Sequence, residues 1–228
     1  MILIAVNYKG ELLNPNSLGK IEKEIKYFNE PKGSVFALKL QQHLLQNPNK
    51  YSFVLHFGSC GGISSNLGNI YKIDRSFLYY LDIIENQRFC RGEYKFESIE
   101  NSNIVTKFAL GKHDKKLYDF ANLYDLETFW VAQLSNTINI PIISIKGVTD
   151  NNEFYNKSES KEKEIDNLLN FGSKENIILN KEFEHNLILI NENFERFYNG
   201  EFFEFYNKIL TNKEFKKKYI HGISIASQ

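Results

Sequence analysis

The sequence predicts an α/β protein, a three-layer α/β/α sandwich around a central mixed, mostly parallel twisted sheet. Three observations lead there. The stretch from Asn139 to Asp150 is a continuous apolar run, rich in β-branched residues, that ends on an acid. Runs of this kind suit a central parallel strand covered on both faces. Two further strand-like runs, at residues 2–7 and 51–57, flank an amphipathic stretch at 34–46, which is the order of a strand–helix–strand unit. Finally, Phe183, Leu187, Ile190, Phe194 and Phe197 recur at helical spacing.

Taken in order, residues 2–7 form a first strand, and Glu11 follows just past its carboxyl end. A lone Glu there is by itself an ordinary solvated loop residue. Lys20–Phe28 carries alternating charge and few periodic apolar positions, so its conformation stays open. Ser34 is a candidate N-cap for the next helix, whose apolar face would be Phe36, Leu38, Leu40, Leu44 and Leu45. Asn47-Pro48-Asn49 ends it. The strand at 51–57 runs into Gly58-Ser59-Cys60-Gly61-Gly62, which reads as a tight turn; it has the spacing of neither a Walker loop nor a dinucleotide fingerprint. Ile70–Leu81 is one or two strands, 84–102 is polar and turn-like, and Ile104–Leu110 is a further strand. A short helix spans Leu126 to about Thr137, with Val131, Leu134 and Ile138 facing inward. Residues 151–178 are polar and charge-mixed and read as a mobile insertion. The tail at 199–228 reads as an added helical piece with Phe202, Phe205, Ile209 and Leu210.

With 228 residues and 42% hydrophobic composition the chain can bury one large core, and a single domain over 1–228 is expected. Formal net charge is zero and Lys and Arg are dispersed, so a small-molecule partner is expected and a nucleic-acid surface is not. Cys60 and Cys90, thirty residues apart, form neither a disulfide framework nor a metal spacing. His43, His113, His185 and His221 have no ligand cluster around them, so no metal or cofactor is expected. The first residues lack a basic leader, and no apolar stretch approaches the about 18 residues that span a bilayer, so a cytoplasmic protein without a membrane partner is expected.

Four pieces then converge on one rim of the expected sheet: Glu11, Gly58–Gly62, Asp125-Leu126-Glu127 and Thr149-Asp150. Their order and spacing resemble the purine nucleoside phosphorylase and nucleosidase superfamily, above all its branch that hydrolyses methylthioadenosine and S-adenosylhomocysteine. The family pattern is a strand followed by a loop Glu, a Gly-Ser/Thr-Ala/Cys-Gly-Gly segment, an acidic-Met-Glu segment opening a helix, and a strand ending in Ser/Thr-Asp. The resemblance covers residues 1–150 and extends to the helix at 181–198.

It implies a nucleoside phosphorylase-like fold, a purine nucleoside substrate and a homodimer. Asp150 would be the general acid that protonates the purine N7, with Thr149 as an orienting hydroxyl. Glu127 would accept hydrogen bonds from the ribose hydroxyls, with Leu126 beneath the sugar and Asp125 beside it. Glu11 would activate water, and Ser59 and the backbone at Gly61 would help position water or substrate. Phe108 is a candidate stacking partner of the base, or else a core residue. Phosphorolysis is the alternative, and a non-catalytic nucleoside-binding or storage-type member is another. Phosphorolysis needs a cationic fork, and many phosphorylases carry Arg where this chain has His56. Lys146 also stands where nucleosidases usually have Arg.

Overall fold

The computed structural model describes residues 1–30, 32–63, 65–80, 83–89, 94–107, 120–138, 140–151, 174–217 and 219. The strands are β1 (Ile2–Val6), β2 (Lys23–Tyr27), β3 (Phe53–Gly62), β4 (Ile70–Tyr80), β5 (Ile83–Arg88), β6 (Glu100–Thr106), β7 (Leu123–Asp125) and β8 (Ile142–Asn151). The helices are α1 (Gly33–Gln46), α2 (Thr128–Thr137), α3 (Lys174–Phe197), α4 (Phe203–Thr211) and α5 (Lys213–Lys216), with a π-helical turn, Tyr198–Phe202, joining α3 to α4.

The architecture is a mixed α/β one. The sheet runs β2-β1-β3-β7-β6-β4-β5, and β8 pairs with both β3 and β4. The pairs β1–β2, β1–β3, β3–β8, β4–β6 and β6–β7 are parallel, and the rest are antiparallel. Here the structure departs from the open sheet of a plain sandwich. Because β8 bridges β3 and β4, the strands β3, β7, β6, β4 and β8 close a barrel-like ring. Long twisted strands with bulges curl in this way, and the register slips between Cys60 and Gly61 and between Ile73 and Arg75 supply the bends.

Alternation along the strands fills two cores. Ile2, Ile4, Val6, Phe53, Leu55 and Phe57 face Ile190 and Phe194 of α3 and Phe205 of α4. Leu3, Ala5 and Val54 face Phe36 and Leu40 of α1 and Val131 of α2. The first core is aromatic, with the Phe57 and Phe194 rings stacked at 3.9 Å between centroids. Burying each such side chain stabilises the fold by about 1.5–3 kcal/mol. Phe202, Phe205 and Ile209 of the tail belong to this core, whereas Leu210 is exposed.

Several local expectations need correction. Ser34 does not cap α1: its N-cap is Lys32. Phe36, Leu40 and Leu44 form the buried stripe at four-residue spacing, and Leu38 and Leu45, turned away from it, lie 62% and 69% exposed. Residues 84–102 are not a turn region, since β5 and the start of β6 lie there. β5 pairs only with β4 among the described strands, at a sheet edge where polar residues such as Glu85 and Asn86 face solvent. β2 is the other edge, which explains its charges. The expected mobile insertion at 151–178 falls outside the described residues from 152 to 173, and helix α3 has already begun at Lys174. No described helix is long and apolar enough to cross a membrane.

Candidate active site

The parallel strands β1, β3 and β8 deliver their carboxyl ends to one rim. β1 stops at Val6, and a 3-10 turn, Lys9–Glu11, follows. β3 runs on past the end of β1, and its last residues, Gly61 and Gly62, pair antiparallel with Tyr124 and Leu123 of β7. β7 ends on Asp125, two residues before Glu127, and β8 carries Asp150 one residue before its end. These ends enclose a cavity of about 210 Å³ whose lining includes Glu11, Asp125, Glu127 and Asp150. Ser59, Cys60, Gly61, Tyr124, Leu126 and Thr149 complete the strand side, with Tyr8 and Phe183 as aromatic walls. The structure thus brings Glu11, Asp125, Glu127 and Asp150 to one cavity from positions spread over residues 11–150.

Glu11 is held by donors that carry no charge. Its Oε1 accepts the Ser59 backbone N–H at 2.8 Å and the Ser59 hydroxyl at 2.7 Å, and its Oε2 accepts the Tyr8 N–H at 3.0 Å. Asn191 of α3 secures the loop by donating to the Glu11 carbonyl at 3.1 Å and accepting from the Leu13 N–H at 2.9 Å. The segment Gly58–Gly62 is therefore no tight turn. It continues strand β3, and its glycines are needed for what lies on them. A methyl group on Gly58 would fall 3.1 Å from Lys146 Nζ and 3.2 Å from Glu11 Oε1.

Lys146, only 1% exposed, is the buried cation beneath the rim. Its Nζ lies 3.0 Å from Asp125 Oδ2 and 3.4 Å from Glu127 Oε2, so it pairs with these two acids. Burial opposes its charge, but Asp125, then Glu127 and Glu11, outweigh burial and hold its pKa well above the ordinary lysine value. Asp125 is further engaged by the Thr106 hydroxyl at 2.8 Å, by the Thr128 hydroxyl, and by the Thr128 N–H at 3.1 Å. With Asp125 accepting that N–H, α2 starts at Thr128 and not at Leu126. Glu127 Oε1 accepts from Asn7 at 3.2 Å. Burial pushes the Glu127 carboxyl up to about 7; Lys146 counters the shift, while Asp125 and Glu11 add to it.

Across the cavity both oxygens of Asp150 accept hydroxyl groups. Thr149 Oγ donates to Oδ1 at 2.8 Å, and the Tyr124 phenol donates to Oδ2 at 2.8 Å. Asn186 of α3 fixes the Thr149 carbonyl at 2.9 Å. The Tyr124 ring lies on its cross-strand partner Gly61, where a methyl group would fall 1.9 Å from Tyr124 Cζ.

His56, the position of interest for phosphate, does not line the cavity. It is buried against the Phe36 ring, its Nδ1 lies 2.9 Å from Ser144 Oγ, and burial, aided by Lys146, holds its pKa well below the ordinary value. Phe108 and His113 lie outside the described residues. Phe183, expected to face the core, stands 37% exposed on the cavity wall, at the end of its stripe nearest the rim. Tyr8 and Tyr124 were missed as site residues; their only sequence signal is adjacency to Glu11 and Asp125. Among the described residues no group of His, Cys, Asp and Glu could hold a metal. A larger cavity, about 510 Å³, opens between β4 and the end of α3. Its Glu201 accepts the Glu97 and Ser98 N–H groups at 2.5 and 2.9 Å.

No protein-family model and no curated protein matches the sequence. Solved structures do match. The 5′-methylthioadenosine nucleosidase of Arabidopsis thaliana aligns over 87% of this chain and 96% of its own, with a TM-score of 0.57 at 15% identity. The methylthioadenosine/S-adenosylhomocysteine nucleosidase of S. pneumoniae, solved with a transition-state inhibitor, aligns over 88% and 99%, with a TM-score of 0.58 at 13% identity. A nucleosidase of the same kind from Borrelia burgdorferi, bound to adenine, aligns over 86% and 98%, with a TM-score of 0.55 at 16% identity. The chain therefore shares the fold of these solved nucleosidases.

Proposed function

We propose that the protein is a nucleosidase that hydrolyses the N-glycosidic bond of a purine nucleoside of the methylthioadenosine or adenosylhomocysteine type. The observation that carries this reading is the convergence of Glu11, Glu127 and Asp150 on one small cavity. As the bond from the anomeric carbon to N9 breaks, its electron pair leaves with the base and positive charge builds on the sugar. Asp150 gives its proton to N7, which neutralises the leaving group. Both hydroxyls on Asp150 can accept as well as donate, so the carboxyl can hold a proton before the reaction. Glu127, ionised beside Lys146, accepts the ribose hydroxyls and stabilises the oxocarbenium-like transition state. Glu11, oriented by Ser59, takes a proton from the attacking water. Leu126 forms the apolar floor under the sugar.

Water is favoured over phosphate because no Lys or Arg lines the cavity among the described residues, while its lining includes acids at positions 11, 125, 127 and 150. A phosphate dianion would meet repulsion there with no guanidinium fork to hold it. The test is release of free base from adenosine, inosine, methylthioadenosine and adenosylhomocysteine, with and without phosphate. Release without phosphate is the expected result. Release only with phosphate would make it a phosphorylase, and binding without release would make it a non-catalytic nucleoside-binding member of the fold. A cytoplasmic homodimer is part of the same proposal, and sedimentation as a monomer would remove the dimer from it.

A further inference from the structure

We infer that Asn191 of α3 is a positioning residue for Glu11, because it fixes the turn from which that carboxylate reaches the cavity. The role in hydrolysis rests on the nucleosidase reading; the clamp itself is built from residues behind the cavity wall. Two hydrogen bonds of Glu11, from its own N–H to the Tyr8 carbonyl and from the Tyr8 N–H to Oε2, lie inside the turn and move with it. Among the described hydrogen bonds, Glu11 is tied to the rest of the molecule from two sides. Ser59 of β3 holds the carboxylate end through Oε1, and Asn191 holds the backbone end through the carbonyl. With both ends of the side chain held, the carboxylate keeps one distance from the water it activates. Displacing a reacting group by about 1 Å is enough to cost about 10²-fold in rate.

Asn191 is 5% exposed on a helix whose neighbouring positions 190 and 194 are apolar and buried. A buried amide is costly unless its donors and its acceptor are met, and here they are. Nδ2 donates to the Glu11 carbonyl at 3.1 Å and to the Leu187 carbonyl at 2.8 Å, and Oδ1 accepts the Leu13 N–H at 2.9 Å. The bond to Leu187, four residues back in α3, sets the direction of the amide. Its other two contacts then read one C=O and one N–H of the loop, a pattern that takes a donor and an acceptor on one planar group. The same helix reaches the opposite side of the site, where buried Asn186 fixes the Thr149 carbonyl beside Asp150. One rigid element therefore holds the backbone at both the proposed base and the proposed acid. Asn199, in the π-helical turn, supplies an internal comparison. It clamps the same loop farther from Glu11, donating to the Ser17 carbonyl at 3.0 Å and accepting the Gly19 N–H at 2.6 Å.

Asn191→Ala removes the clamp and leaves every group that lines the cavity. Its kcat should fall about tenfold, with KM within about twofold of the wild type. In a Glu11→Gln background the same substitution should change kcat by less than about twofold, because it acts only through that carboxylate. Asn199→Ala should keep wild-type kcat. Wild-type kcat from Asn191→Ala overturns the inference, as does an equal loss in the Glu11→Gln background or an equal loss from Asn199→Ala. If Asn191→Ala does not fold, Asn191→Ser, whose hydroxyl ends one bond short of the amide atoms, is judged by the same outcomes. If the wild type cleaves no nucleoside, the nucleosidase reading fails, and hydrogen exchange decides the clamp by itself. The Leu13 amide should then exchange about fivefold faster in the Asn191 variant, the worth of one hydrogen bond, and unchanged exchange overturns the inference.

Discussion

Asp125 and Glu127 share a buried cation, whereas the described contacts of Asp150, across the same cavity, include hydroxyls on both of its oxygens. Protonating either of the first two acids would remove part of the negative charge that compensates Lys146, which is buried out of water. On the nucleosidase reading proposed above, Asp150 is the acid that gives a proton to the leaving group, and Glu127 is the carboxylate that steadies a cationic sugar. Neighbouring carboxylates take different roles because their surroundings differ.

The sharpest way to break this contrast is at Asp150. Asp150→Asn should lower turnover by about 10²–10⁴-fold, the usual share of a general acid, with the circular dichroism and melting temperature close to wild type. Wild-type turnover from this variant would refute its role. Next comes the cation: Lys146→Met should destabilise the fold by about 3–5 kcal/mol in urea denaturation, because it leaves Asp125 and Glu127 as buried charges without their partner. A loss under about 1 kcal/mol would show that the ion pair is not what holds this side of the rim. Glu11→Gln should slow hydrolysis by about 10²-fold while leaving nucleoside binding nearly intact, and unchanged kinetics would remove Glu11 from the chemistry.

The smallest effect is one of pH. Glu127 must be ionised to accept the ribose hydroxyls, and burial has raised its pKa from 4.5 to about 7. On the acid side of about 7 it is protonated, so kcat/KM should fall there by about tenfold per pH unit. A profile flat down to pH 5 would contradict the assignment. Together these experiments ask whether charge compensation on one side and hydroxyl contacts on the other are a working division of labour.

Much of this was legible from residues alone, for identifiable reasons. Asp150 could be placed at a strand end because β-branched apolar runs mark strands and parallel strands bring their carboxyl ends together, whereas Glu11 and Asp125-Leu126-Glu127 were joined to it by the family resemblance. Gly58–Gly62 misled because glycine has two uses: it permits a turn, and it lets another group lie flat on a strand. Only the partners, Glu11 and Lys146 at Gly58 and the Tyr124 ring at Gly61, distinguish them. The closure of the sheet was equally hidden, because it depends on β8 pairing with β4 far away in the chain. The edge strands β2 and β5 escaped notice since their polar residues have no inner face to fill. Tyr124 was overlooked because an aromatic in a three-residue strand looks like core until its hydroxyl is seen on Asp150.

The most direct test of the account is a crystal structure of the Asp150→Asn variant with methylthioadenosine bound. The account predicts the ribose hydroxyls on Glu127, the base beside residue 150, and a water between Glu11 and the anomeric carbon. A nucleoside bound elsewhere, such as in the larger cavity beside Arg196, or one bound here with its sugar away from Glu127, would contradict it.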